Sequence, residues 1–213
     1  MAFWNKRREP KVKFATLHEA TEAGDCTAVQ QFLHDGIDPN AQDEHDATAL
    51  HIAAAAGHLG IAKLLIESGA NVDFLINEGG TPLMAASARL KPEMIAFLIS
   101  RGAQTNKKGH DGRYPLACPF HPGVVLVNEQ LECIRVLVAH GARVNERTDT
   151  GGTPLMKAAW FGNREAVNEL LKLGADPTLR DNRGRTAAML AFERSHDELA
   201  QLLKQCADQA GKE

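Results

Sequence analysis

Thr48-Ala49-Leu50-His51-Ile52-Ala53 decides the fold, because its pattern returns along the chain at a fixed interval. Ala15-Thr16-Leu17-His18-Glu19-Ala20 begins 33 residues earlier, and Thr81-Pro82-Leu83-Met84-Ala85-Ala86 begins 33 residues later. Tyr114-Pro115-Leu116-Ala117-Cys118-Pro119 follows after another 33, Thr153-Pro154-Leu155-Met156-Lys157-Ala158 after 39, and Thr186-Ala187-Ala188-Met189-Leu190-Ala191 after 33. Gly36, Gly69, Gly102, Gly141 and Gly174 form an independent marker with the same spacings, including the same six-residue interruption. A shared period of this length is the signature of a stacked repeat architecture.

Each unit reads as two helices. Thr48, Thr81, Thr153 and Thr186 are placed to accept a backbone N–H at a helix start. Pro82 and Pro154 follow at the first helical position, where a missing N–H costs little. A break comes at Gly24, Gly57 or Gly162. The second helix then carries apolar pairs near its end: Phe32-Leu33, Leu65-Ile66, Leu98-Ile99, Leu137-Val138 and Leu170-Leu171. The marker glycine closes it in the left-handed conformation. A helix pair of this size cannot bury its apolar face alone, whereas stacked neighbours can. Lys204 stands at the second apolar position of the sixth unit, where a further repeat would bury its charge, so the stack is expected to end there.

These residues resemble the ankyrin repeat, with its 33-residue period and T-P-L-H-x-A start. Thr48 to Ala53, Thr81-Pro82-Leu83, Thr153-Pro154-Leu155 and the Gly69-Ala70-Asn71-Val72-Asp73 turn carry the resemblance. It implies an all-α solenoid of stacked helix-turn-helix units with short β-hairpin or turn projections. The expected layout is a basic leader at 1–14, a repeat domain at 15–208 with repeats starting near 15, 48, 81, 114, 153 and 186, and a tail at 209–213. It further implies a concave face, made of hairpin tips and first helices, that binds another protein.

On that face the resemblance puts Leu75, Arg89, His110, Asp111, Arg113, Phe120, Asp149, Trp160, Phe161, Arg183, Arg185 and Arg194 as partner-binding residues. Glu44, His45, Ala55, Ala56, Asn77, Glu78, Thr150, Asn182 and Glu193 lie in the same frame. Trp160-Phe161 is the sharpest signal, because it occupies the positions of Ala55-Ala56 and aromatic and Arg side chains are enriched at interface hot spots. Packing of both rings on the fourth-repeat insertion is the other reading.

The fourth repeat departs most. Tyr114 replaces the capping Thr, and Cys118-Pro119-Phe120-His121-Pro122-Gly123-Val124-Val125-Leu126-Val127 lengthens the unit by six residues. Pro119 and Pro122 are expected to shorten or break its first helix. The insertion then either packs on the stack edge or contacts a partner or a second copy.

Composition narrows the function classes. The chain has 213 residues with 44% apolar and 5% aromatic content, which favours packed helices over a β-sandwich. Its 24 Lys+Arg against 27 Asp+Glu give a net charge of −3, with no global polyanion bias. No run of 18 apolar residues is present to span a membrane. The basic leader, with Lys6, Arg7, Arg8, Lys11 and Lys13 against Glu9, lacks the apolar segment of a secretory signal. It reads as a tail, a cap over repeat one, or a weak membrane-surface contact through Phe3 and Trp4. Cys26, Cys118, Cys133 and Cys206 form no CxxC pair, so reduced thiols and a cytoplasmic location are expected.

His18 and His51 occupy the motif's histidine position, where a structural hydrogen bond is the expected role. Cys118 and His121 lack two further ligands for a closed zinc site, and no metal or cofactor is expected. No P-loop, nucleophile elbow or zinc-protease motif is present, and the protein is not expected to be an enzyme. The expected function is non-catalytic protein binding, as adaptor or inhibitor, by a monomer. Small proteins that this chain resembles include inhibitors and toxin-neutralising partners. Nucleic-acid binding through the Arg-rich C-terminal half is the competing class, weakened by the interleaved acids and the net charge.

Overall fold

A computed structural model describes residues 14–77, 79–120 and 127–210. The leader residues 1–13, Glu78, residues 121–126 and the last three residues lie outside them, together with most of what the sequence suggested for the leader and the insertion. The described chain forms α1 Leu17–Glu22, α2 Cys26–His34, α3 Ala49–Ala56, α4 Leu59–Glu67, α5 Pro82–Ala88 and α6 Pro92–Ser100. A 3-10 turn at Pro115–Ala117 precedes α7 Val127–Ala139, α8 Pro154–Trp160, α9 Arg164–Lys172, α10 Ala187–Glu193 and α11 Asp197–Ala210. The first helices pack in order, α1 on α3, α3 on α5, α5 on the 3-10 turn, the turn on α8 and α8 on α10. The second helices form the other layer, with α2 on α4, α6 on α7 and α7 on α9. The core runs between the layers through Leu50, Leu65, Leu83, Leu98, Leu116, Leu137, Leu155 and Leu170, all essentially inaccessible.

The caps follow the residue types. Thr81, Thr153 and Thr186 hydroxyls accept from the backbone N–H groups of Met84, Met156 and Met189, and Thr16 does the same for Glu19. Thr48 differs from expectation. Its hydroxyl bonds His51 Nδ1 at 2.8 Å instead of capping α3. His51 Nε2 then donates to the Gly80 carbonyl at 3.3 Å, so the ring joins repeats two and three. His18 Nε2 likewise reaches the Ala41 carbonyl at 2.9 Å.

The break between paired helices needs a left-handed residue. Gly24, Gly57 and Gly162 supply it, but Leu90 (φ 54°) and Ser195 (φ 61°) hold the same place in repeats three and six. The tips between repeats share one closure. A backbone bond spans four residues in each of them: Asp43 to Ala47, Ile76 to Gly80, Gly109 to Arg113, Thr148 to Gly152 and Asp181 to Arg185. Among the described residues the extended pairing reduces to one antiparallel bridge, Gln42 with Thr48.

A polar ladder ties successive repeats. Asn40 donates to the Gly69 carbonyl at 3.1 Å and accepts from Asn71 N–H at 2.7 Å. Asn106 does the same to Gly141 and Arg143, and Asn145 to Gly174 and Asp176. Asp73 holds this place in repeat three. A carboxylate cannot donate, so it accepts from both the backbone and the side-chain amide of Gln104.

The fourth repeat shows the expected shortening. Pro115–Ala117 is a three-residue 3-10 turn rather than a helix. Tyr114 makes no cap, and its buried hydroxyl donates instead to the Glu146 carbonyl in the segment leading to repeat five. Part of the extra length appears in α7, with 13 residues against nine in α6. Gln130 on that added turn is 1% exposed. Its amide donates to the Pro119 carbonyl at 2.8 Å, and its oxygen accepts from Asn163 Nδ2 at 2.6 Å. Asn163 in turn caps α9. One buried amide therefore connects the edge of the insertion, α7 and the fifth repeat.

Candidate protein-binding groove

The repeat frame lays two columns of first-helix residues along the concave side. Glu19, Ile52, Ala85, Cys118, Lys157 and Leu190 form one, and Glu22, Ala55, Ala88, Trp160 and Glu193 form the other among the described residues. They line successive hollows. The hollow at repeats two to four, about 360 Å³, has a floor of Ile52, Ala55, Met84 and Ala88, with Arg89 and Arg113 at its edge. A second, about 290 Å³, lies over repeats five and six between Met156, Lys157, Trp160, Phe161 and Arg185. A third, about 740 Å³, lies over repeats one and two and is acidic, with Glu19, Glu22, Asp43 and Glu44. The groove therefore changes sign along its length.

The expected contact residues divide by environment. Arg89 and Arg113 are exposed and meet on one hollow. Arg113 is also the ion-pair partner of Asp111, whose carboxylate takes the Arg113 backbone N–H at 3.0 Å. Despite desolvation, which pushes the Asp111 carboxyl up, these contacts hold it below the usual carboxylate range. Trp160 and Phe161 are half-buried against the core, and Arg194 lies 4.7 Å over the Trp160 ring. Two expected contact residues thus stack on each other in a cation–π pair.

Arg185 is held rather than loose. It grips Asp181 through Nε and Nη2 at 2.9 and 2.8 Å, and its Nη1 bonds Glu193 at 3.0 Å. Asp181 also accepts the backbone N–H groups of Arg183 and Arg185. Burial acts to raise the Asp181 carboxyl, and these bonds hold it low. His110 and Asp149 are exposed, but both serve tip-to-tip contacts: His110 Nδ1 donates to the Asn77 carbonyl, and the Asp149 carbonyl accepts from Asn182. Leu75 is half-buried and Arg183 exposed, and neither lines the two central hollows.

Phe120 is the most enclosed of the expected contact residues. It is 6% exposed and belongs to the core cluster, touching only the base of the second hollow. Its ring fills the place of Ser87 and Ala159 in the neighbouring repeats and packs the stack beside the second hollow.

Lys157 is the residue that sequence reasoning missed. Its ammonium donates to the Ala117 carbonyl at 3.1 Å, satisfying the end of the 3-10 turn, and burial pushes its pKa down. The signal was available: Lys157 shares a column with Ile52 and Ala85, which face the groove. Burial also pushes the Cys118 thiol up to about 11. Among the described residues, no group of three or more His, Cys, Asp or Glu side chains is placed to hold a metal. No helix among them is long and apolar enough to cross a membrane.

Comparison with known proteins names the class. The family described as ankyrin repeats (3 copies) matches residues 17–109 and 124–181. The chain belongs to the ankyrin-repeat family, whose fold is a protein–protein interaction module. It is 33% identical over 175 residues to neurogenic locus notch homolog protein 1 of Danio rerio, covering 81% of this chain and 7% of that protein. It is 31% identical over 164 residues to ankyrin repeat and KH domain-containing protein mask-1 of Caenorhabditis elegans, 76% of this chain and 6% of that one. A transient receptor potential cation channel subfamily A member 1 homolog of the same worm is 28% identical over 185 residues, 86% and 15% respectively. The chain therefore spans a small fraction of these relatives' lengths.

Proposed function

We propose that this chain binds a protein partner along its concave groove, without catalysis, as an adaptor or an inhibitor in the cytoplasm. The sign change along the groove carries the reading. Acidic side chains stand over repeats one and two, and Arg89 and Lys157 stand over repeats three to five beside the Arg113–Asp111 pair, with apolar floor between them. Such a surface fits an extended partner segment with basic residues at one end, apolar residues in the middle and acidic residues at the other. The groove is preformed, which limits the ordering cost of association. Four unpaired cysteines agree with a reducing compartment. The domain bounds of 15–208, with the leader and tail outside them, belong to the same proposal.

A nucleic-acid ligand on the Arg-rich half is disfavoured. Arg113, Arg135, Arg143 and Arg185 are all engaged by carboxylates of this chain, which offsets the positive potential a phosphate backbone requires.

The test is capture from native lysate with the wild type, an Arg89→Glu/Arg113→Glu variant and a Lys63→Glu variant on the outer layer, all confirmed folded by circular dichroism. A stoichiometric partner should be retained by wild type and Lys63→Glu and lost by the double reversal. A partner held equally by all three places the contact elsewhere. Inhibition of the partner's activity separates inhibitor from adaptor, since an adaptor holds two partners at once.

A further inference from the structure

Repeat six presents a surface that the inner repeats cover. The residue at the His51 position is buried in repeats two to five, as His51, Met84, Ala117 and Met156, but Met189 is 46% exposed. The Ala54 position is buried as Ala54, Ser87, Phe120 and Ala159, but Phe192 is 69% exposed. Together with Ala188 and Ala200 they bound a hollow of about 560 Å³ between α10 and α11, rimmed by Glu193, Asp197, Gln201 and Lys204.

The charges on this face have a pattern. Asp197, Ala200, Gln201 and Lys204 fall at i, i+3, i+4 and i+7, one stripe of α11. The acid and the base stand at equal distances either side of the point between Ala200 and Gln201. A two-fold axis through that point sets Asp197 of one copy against Lys204 of the other, and the reverse. It also offers each exposed Phe192 the small-residue floor of Ala188 and Ala200 on the facing copy. A surface that complements itself in charge and in shape is the requirement of an isologous contact.

We propose that the α10–α11 face joins two copies of this chain as an antiparallel, two-fold dimer. This contact lies on the side of α10 and α11 away from repeat five and leaves the concave groove open in both copies.

The full chain is tested by sedimentation equilibrium from about 1 µM to about 1 mM at low salt. Wild type should rise from 23.1 kDa toward twice that mass with concentration. Asp197→Lys and Lys204→Asp each set like charges together twice, and each should weaken dimerisation by more than about tenfold. Both side chains lie on the exposed rim, so circular dichroism should be unchanged. Mixing the two single variants pairs Lys with Asp at both positions, and should restore a dimer made of one copy of each. Phe192→Ser should weaken wild-type association without affecting capture by the groove. A constant mass of 23.1 kDa for wild type over the whole range overturns the proposal and leaves this face to another kind of partner. Single variants that associate as well as wild type, or a mixture that forms no mixed dimer, overturn the two-fold arrangement.

Discussion

At the residue scale, burial governs His51. The ring is 5% exposed, and desolvation pushes its pKa from 6.5 down to about 4 against the raising effect of its carbonyl partner Gly80. The folded state therefore resists a proton that the unfolded chain accepts. This contribution is complete above pH 6.5 and is lost as pH falls toward 4, by roughly 3 kcal/mol in all. Melting temperature should fall between pH 6.5 and 5, where carboxylates remain ionised, and His51→Asn should flatten that slope. Two glycines separate backbone strain from steric contact. Gly69, at φ 96°, has open space around an added Cβ, so Gly69→Ala should cost roughly 1–2 kcal/mol from the left-handed conformation alone. At Gly79 the same carbon would lie 2.4 Å from the His110 nitrogen. Gly79→Ala should cost distinctly more in urea titration, and a Gly69→Ala cost equal to it would show that the tips are not in contact.

At the element scale, the repeat frame made the helices and most caps legible. Thr81, Thr153 and Thr186 cap as their residue type suggests. Thr48 does not, because a histidine one turn on takes its hydroxyl; the pattern marked His51 for a structural hydrogen bond but not Thr48 as its partner. The breaks at Leu90 and Ser195 were hidden because both hold a left-handed conformation that neither residue type favours. Pro119 announced the short helix of repeat four, but nothing in Pro122-Gly123 announced that α7 would begin early and bring Gln130 inward. In the groove, the frame positions of Arg89, Arg113 and Trp160 were legible, and these residues line the two central hollows. The burial of Phe120 was not legible, because the insertion that carries it has no counterpart in the other repeats. Gln130 satisfies two partners in a dry site, so Gln130→Leu should cost about 2–3 kcal/mol by leaving the Pro119 carbonyl and Asn163 amide unpaired. Glu169→Ala should also destabilise. Hydrogen bonds from Arg135 at 2.7 and 3.2 Å hold the Glu169 carboxyl low and tie repeat four to repeat five. Thermal melts of both variants check these expectations.

At the scale of the whole molecule, each unit touches only its neighbours, so stability is a sum of local terms along a line. Repeat four lacks a full first helix and is tied to repeat five by Tyr114, Gln130 and Arg135. Weakening that junction should divide the molecule. Tyr114→Phe/Gln130→Leu is expected to convert a single urea transition into a broader one, with amides of repeats five and six exchanging hydrogen sooner than those of repeats two and three. Uniform acceleration across all repeats would show that the array unfolds as one unit.

The ladder of Asn40, Asp73, Asn106 and Asn145 has a mechanical meaning. Pulled from its two ends, the array carries its load in series, so every junction feels the same force. The ladder runs at the ends of the second helices, away from the groove, and acts there as a row of stitches along one seam. The opposite seam, at the 3-10 turn of repeat four, holds less helix against its neighbours. Bending is therefore expected to be easiest at that turn, where it would open or narrow the groove while the stitched edge keeps its length.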